Sequence, residues 1–496
     1  MPLYDWQEED LSTLRDNKYT ALLAIETGGG KSPLAASAIK DSGARTTLVI
    51  APGSTLSSPD RNWPVAVGVW ADQEMRLLSN GTKAGRQAIT DFELGYPGVY
   101  ACTPQLLARK STDVSQWRGD LLIVDEVHQL SSARTSGQRR LSGYNPQDDP
   151  VSTHFESRLA LSGTYFRQSF DNAWATMRLL WPELDGRGEI ADMSYYLWCT
   201  DRMTSEDVYT SRRDRDGRPV KVKNFLAERE PGKLLSEMPC VIQHKRREKC
   251  CEYHPNGFLT VDKPQELYRV VDLTPKQRRA ICELEEHYMT YLDDNPLVVD
   301  LTLTQKQRIR QLCLGEANVE YYTGVNKDGE EVMKSRLEFD PECVSPFADE
   351  LLSLLDDDLP TGEPVVVYMD SQRFASVLVA KLNARGITAQ EYSGVTKADL
   401  SKFGTEFQVL VGVTSSVGTG TDGLQDVCST EVWMEVPVSL TAETQSAARI
   451  DRMGAKKQVQ RYYIQDSDGW AQGRLSDNVT KRLAINKSMR RTNGVK

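Results

Sequence analysis

Residues 24–39, AIETGGGKSPLAASAI, set three consecutive glycines directly before Lys31 and Ser32. A short apolar run precedes them and an alanine-rich helical run follows. Glycines let the backbone turn tightly and aim its N–H groups outward, and a helix beginning there adds its N-terminal dipole. That chemistry suits phosphate oxygens. Thr27, Gly28, Gly29, Gly30, Lys31 and Ser32 would then cradle ATP, with Lys31 reaching the outer phosphates and Ser32 ligating Mg2+. The full pattern asks for a glycine five residues before Gly30, where this chain has Ile25. The plainer reading is a glycine turn with an incidental lysine.

A nucleotide site of this kind needs a second strand that ends in acids. LLIVDEVH, residues 121–128, supplies one. Asp125 would hold Mg2+ through water, and Glu126 would polarise the attacking water. His128 would link this strand end to the Ser162–Thr164 turn. More than three hundred residues later, QSAARIDRMGAKKQV carries Arg449 and Arg452 at i and i+3, which puts both on one face of an expected helix. Guanidinium stays charged and binds oxygens with a planar fork. The pair reads as two fingers that stabilise phosphoryl-transfer charge on a nucleotide held by Lys31. A solvated helix face is the alternative.

These residues need elements to position them. YTALLAI (19–25), RTTLVIA (45–51), GVYAC (98–102), DLLIVDE (120–126) and RLALSG (158–163) read as buried strands with helical patterns between them. The alternation weakens from about 190 to 345, where SRRDRDGRPVKVKNF looks like a polar loop or small excursion and two amphipathic helices follow. It resumes in PVVVYMD (364–370), TAQEY (388–392), FQVLVGV (407–413) and TEVWMEV (430–436). The expected class is α/β, with two parallel-sheet domains in tandem and a helical and irregular insertion between them. The expected bounds are 1–188, 189–345 and 346–470, with a tail over 471–496.

The net charge of -10 argues against a coat or architectural nucleic-acid protein, which would be basic. It leaves room for a motor that grips a phosphate backbone in one groove. No apolar run approaches the ~18 residues of a membrane span, so no membrane partner is expected. The acidic start MPLYDWQEED carries no secretion signal, and the nine cysteines lack framework spacing. Both fit a cytoplasm, the host's if the chain is viral. Cys240, His244, Cys250, Cys251 and His254 crowd into 15 residues, yet match no clean zinc spacing. The plainer reading is a basic strand and loop, whose KRREK run either meets phosphates or is solvated.

Several further stretches resemble the superfamily 2 helicase-like ATPases, and among them the SWI/SNF-type DNA translocases, over roughly residues 3 to 470. TLVIAPGSTLSSPDRNW looks like that family's motif Ia, and ALSGTYFRQSFDNAWATMRLLWPEL like its motif III block. VVDLTPKQRRAICEL resembles the segment that enters the second lobe, and QSAARIDRMGAKKQVQRYYI its motif VI. Ala455 stands where the family has glutamine, and the motif V stretch GTGTDGLQ departs from its usual form. The resemblance implies two RecA-like lobes and a compact motor of bacterial or viral type. It implies that Gln7 reads the adenine edge and that Gly420 and Asp422 join the nucleotide site. It implies sequence-independent backbone contacts to duplex DNA from Pro52, Gly53, Thr103, Pro104, Ser371, Gln372 and the Thr414–Gly420 stretch.

The expectation is thus an ATP- and Mg2+-dependent DNA translocase, monomeric, with room for a protein partner. A strand-separating DNA or RNA helicase is one alternative. A nucleotide-gated module that displaces or recruits another protein is the other.

Overall fold

The structure is a computed structural model that describes residues 2–56, 62–130, 135–144, 148–163, 172–182, 195–213, 218–248, 254–299, 302–325, 331–418, 421, 423–437 and 439–471. The chain divides into two compact units, one running through Leu259 and the other beginning at Thr260.

The first unit is built on a seven-stranded sheet. Its first six strands in chain order are β1 (Ala21–Ile25), β2 (Thr46–Ile50), β3 (Met75–Leu77), β4 (Gly98–Cys102), β5 (Gly119–Val124) and β6 (Phe155–Leu161). Two long antiparallel strands, β7 (Met203–Arg213) and β8 (Pro219–Glu228), form a separate hairpin, and β9 (Val241–His244) returns to the sheet. The sheet order is β3-β4-β2-β5-β6-β1-β9, and every pairing is parallel.

Parallel strands with both faces covered favour apolar and β-branched side chains along their length, which is why β1 reads ALLAI and β2 TTLVI, buried throughout. Alternate residues feed two cores. Leu22, Ala24, Leu48, Ile50, Leu122 and Val124 join one, and Leu23, Ile25, Val49, Leu121 and Ile123 the other. At about 25 cal/mol per Å2 of apolar surface removed from water, such strands dominate the unit's stability.

The second unit has its own six-stranded parallel sheet. After β10 (Gln265–Val271) come two hairpins, β11 (Met289–Leu292) with β12 (Asn295–Val298) and β13 (Asn318–Val325) with β14 (Glu331–Glu338). Then follow β15 (Val365–Met369), β16 (Ala389–Tyr392), β17 (Val409–Val413), β18 (Thr430–Trp433) and β19 (Gln460–Asp466), in the sheet order β10-β19-β18-β15-β17-β16. The fold is therefore α/β, with two tandem parallel sheets of the RecA-like kind. In the first, the strand leading into the glycine turn and the strand ending in acids are separated by one strand, β6.

The expected loop at SRRDRDGRPVKVKNF is corrected where it is described. Its flanks are the facing ends of β7 and β8, with Tyr209 opposite Lys221 and Arg213 opposite Pro219. Val220 and Val222 alternating with lysines is the period-two pattern that a strand requires.

Candidate nucleotide site

β1 ends at Ile25, and the helix Lys31–Ser42 starts after a turn that only glycine makes cheaply. Gly28 has φ +89° and Gly30 φ +77°, both left-handed. Gly30 lies directly under Gln7: a Cβ built there would stand 2.3 Å from the Gln7 amide nitrogen. Gln7 is buried. Its Nε2 donates to the Gly30 carbonyl at 3.2 Å, and its Oε1 accepts the Tyr4 N–H at 3.1 Å. Gln7 and the glycine turn are thus in contact. Phe258 backs the turn at Gly29.

Lys31 Nζ donates to the Ile25 carbonyl at 2.9 Å, folded back along its own turn. The Gly163 turn after β6 closes on the same place. A Cβ built there would lie 3.0 Å from Thr27 Oγ1 and 3.3 Å from Lys31 Nζ. Ser32 sits half-buried in the first turn of the helix.

Asp125 and Glu126 follow the last residue of β5. The Asp125 carboxylate is buried and has two donors: the Trp63 indole N–H at 2.8 Å on Oδ2 and the Glu126 backbone N–H at 2.8 Å on Oδ1. Burial, and then the neighbouring Glu126 carboxylate, push the Asp125 carboxyl up to about 6, while the Trp63 hydrogen bond and the Lys31 charge pull it down. Glu126 adopts φ +48°, a left-handed conformation that costs a non-glycine residue about 1–3 kcal/mol. His128 is buried beside it, with Nδ1 3.1 Å from both Glu126 Oε2 and Ser162 Oγ. The expected link to the Ser162 turn is present; Thr164 lies outside the described residues.

Thr27, Gly28–Ser32, Gln7, Asp125, Glu126 and Gly163 therefore converge at the carboxyl ends of β1, β5 and β6 in one unit. They fit a nucleotide. The turn is a concave run of backbone that an added Cβ would fill, Lys31 stands at its mouth, and Asp125 and Ser32 offer oxygen ligands. Among the described residues no three His, Cys, Asp or Glu side chains group as a metal cage. Two protein oxygens suit Mg2+, which keeps several waters and takes phosphate oxygens. Trp63 closes the stretch TLVIAPGSTLSSPDRNW, whose resemblance to motif Ia gives its side chain no partner. Its hydrogen bond to a carboxylate 62 residues away had no sequence signal.

Pro52 and Gly53 follow β2, and Thr103 and Pro104 follow β4. A Cβ on Gly53 would lie 3.6 Å from the Thr103 methyl, so these two stretches adjoin. Thr103 Oγ1 caps the short helix Pro104–Ala108 by accepting the Leu106 N–H.

In the second unit the arginine expectation needs correction. The helix Leu440–Ala447 ends before Arg449. The Arg449 N–H donates to the Ser446 carbonyl and the Arg452 N–H to the Ile450 carbonyl, so the chain leaves the helix in tight turns and the two arginines do not share a helical face. The Arg449 guanidinium donates to the carbonyls of Thr421 (3.0 Å) and Gly418. Arg452 is half-buried in the following turn. Gly420 and Asp422 lie outside the described residues. Ser371 and Thr414 do stand together at the strand ends: Thr414 Oγ1 donates to Asp370 Oδ1 at 3.1 Å, and Glu435 Oε2 accepts the N–H groups of Asp370 and Ser371 at 3.0 and 2.7 Å. Gln372 opens the helix Gln372–Ala384.

Of the cysteine and histidine cluster, Cys240 and His244 are engaged in packing. Cys240 is buried in a core, and His244 Nε2 lies 2.8 Å from Asp10 Oδ2 with its ring edge-on to Trp6. Within the basic run, Lys245 pairs with Glu248 and the Arg246 N–H donates to Glu26. Cys250 and Cys251 lie outside the described residues. Among the described residues no helix is long and apolar enough to cross a membrane.

No protein-family model and no curated protein matches the sequence. Among solved structures the chain is similar to the Sulfolobus solfataricus SWI2/SNF2 ATPase core in complex with dsDNA, at 15% identity over 98% of this chain and 96% of that chain, with a TM-score of 0.39. A likeness at that score decides nothing about the site, whose reading stands on its own residues.

Proposed function

We propose that the chain is an ATP-hydrolysing motor of the SWI/SNF-like superfamily 2 type that tracks along duplex DNA without reading its sequence. The observation that carries the reading is one constellation: the Gly28–Ser32 turn and the Asp125–Glu126 strand end, with the Gly163 turn set against Thr27 and Lys31. Bound Mg2+, held by Ser32 and Asp125, would neutralise phosphate charge. Lys31 would exchange the Ile25 carbonyl for a phosphate oxygen, and the turn's N–H groups would bind the others. Gln7, fixed between Tyr4 and Gly30, would present its amide to the base. Glu126, held by His128, would orient the attacking water and accept its proton. Arg452 would act as the finger that completes the charge around the transferred phosphoryl group, and Arg449 would hold the Gly418 and Thr421 carbonyls.

The adjoining Pro52–Gly53 and Thr103 stretches, with Ser371 and Thr414 of the second unit, would hold backbone phosphates. Such contacts position a duplex but carry no sequence information. Displacement of a third strand from a DNA triplex tests the reading. Release that needs ATP hydrolysis, fails with Lys31→Ala and occurs without melting the underlying duplex is the expected result. Separation of the duplex strands themselves would replace this reading with a helicase.

A further inference from the structure

Trp63 is a core residue with one polar atom, and that atom is committed to Asp125. The side chain is 1% exposed, in the helix Asn62–Ala66. It belongs to the same core cluster as Ile39, Val67 and Ala71, so packing fixes the ring independently of the site. An indole nitrogen donates and never accepts. Here it donates to Asp125 Oδ2, while the Glu126 N–H holds Oδ1. Two rigid donors from different directions leave the carboxylate a single orientation. Losing a partner that orients a metal ligand commonly lowers metal affinity about 10–100-fold.

We infer that Trp63 is a positioning residue: its indole N–H sets the orientation from which Asp125 would hold Mg2+ through water, and thereby how much Mg2+ adds to nucleotide affinity. The inference rests on the ATP reading above. Losing the N–H frees the carboxylate to rotate and leaves a buried oxygen short of a donor. Metal-free nucleotide contacts at the glycine turn do not pass through Trp63 and should be spared.

The test is calorimetric ADP binding to the full chain, once with saturating Mg2+ and once with EDTA, for the natural protein, Trp63→Phe and Val67→Ala. The ratio of the two affinities is the readout. Trp63→Phe should keep the EDTA affinity and lose about tenfold of the Mg2+ gain. Val67→Ala opens a cavity in the same core without touching a hydrogen bond, and should keep the natural ratio. An undiminished Mg2+ gain in Trp63→Phe, or an equal loss in Val67→Ala, overturns the assignment. If Trp63→Phe does not fold, the indole N–H resonances decide. One of the nine tryptophans should lose its hydrogen-bonded shift in Asp125→Ala, and no change overturns the inference. Failure of the natural protein to bind ADP in either condition would instead remove the ATP reading itself, and this inference with it.

Discussion

Arg449 and Arg452 are three residues apart and have different surroundings. The Arg449 guanidinium donates to the Thr421 and Gly418 carbonyls, which lie after the helix Thr414–Val417. Arg449→Ala leaves those acceptors without their charged donor. It should lower stability by about 1–3 kcal/mol in urea unfolding as well as reduce turnover. Arg452→Ala should cost less stability and keep ADP affinity, yet cut ATP turnover by on the order of 10^3. Equal turnover in Arg452→Ala and the natural protein would remove its finger role. Lys31→Ala should abolish turnover altogether, because in the proposed reading Lys31 is the cation that would exchange the Ile25 carbonyl for the outer phosphates. The Gly28–Ser32 turn was legible because its signal is local: three glycines before a lysine and a hydroxyl dictate the backbone and suggest a phosphate ligand. Asp125 and Glu126 were legible for the same reason, as acids at the end of an apolar run. Trp63 was not, because its partner is set by how the sheet folds. The shared helical face of the arginines was misread because the tight turns after Ala447 have no strong breaker before Gly454.

Buried charge sits at the ends of the strands in the second sheet. Arg310, from the helix Thr302–Leu314, is buried 3.6 Å from Glu435 Oε1 and 3.9 Å from Asp370 Oδ2. Burial raises the Glu435 carboxyl, and the Arg310 charge opposes that rise. Arg310→Met removes the opposing charge and should destabilise the unit by about 3–5 kcal/mol. The sign with pH follows. Glu435 binds a proton more readily without Arg310, so the deficit is greatest where its carboxylate must be ionised and shrinks as protonation relieves it. Thermal unfolding at about pH 8 and about pH 5 should show the larger gap between variant and natural protein at the higher pH. A gap independent of pH would mean that packing, not charge, is lost. At this scale the buried strands were readable because parallel sheets demand continuous apolar runs. The long hairpin of β7 and β8 was not, since its charge outweighs the alternation of Val220 and Val222 with lysines. β3 has only three residues, too few for a pattern to emerge.

Across the whole molecule, two parallel sheets each gather polar groups at their carboxyl edge while the chain carries a net charge of -10. A protein so acidic gains little from general attraction to a polyanion, so DNA would be held through local backbone and hydroxyl contacts. Such binding should weaken with salt less steeply than in proteins that release many counterions. In the proposed motor, nucleotide hydrolysis at the Gly28–Ser32 turn answers to duplex DNA. The steady-state ATPase rate at one fixed low salt, with no nucleic acid, duplex DNA, single-stranded DNA or RNA, probes it without intermediaries. Strong stimulation by duplex DNA above the other two, lost in Lys31→Ala, is the expected result. Equal or greater stimulation by single strands or RNA, or no response to any of them, would refute the claim.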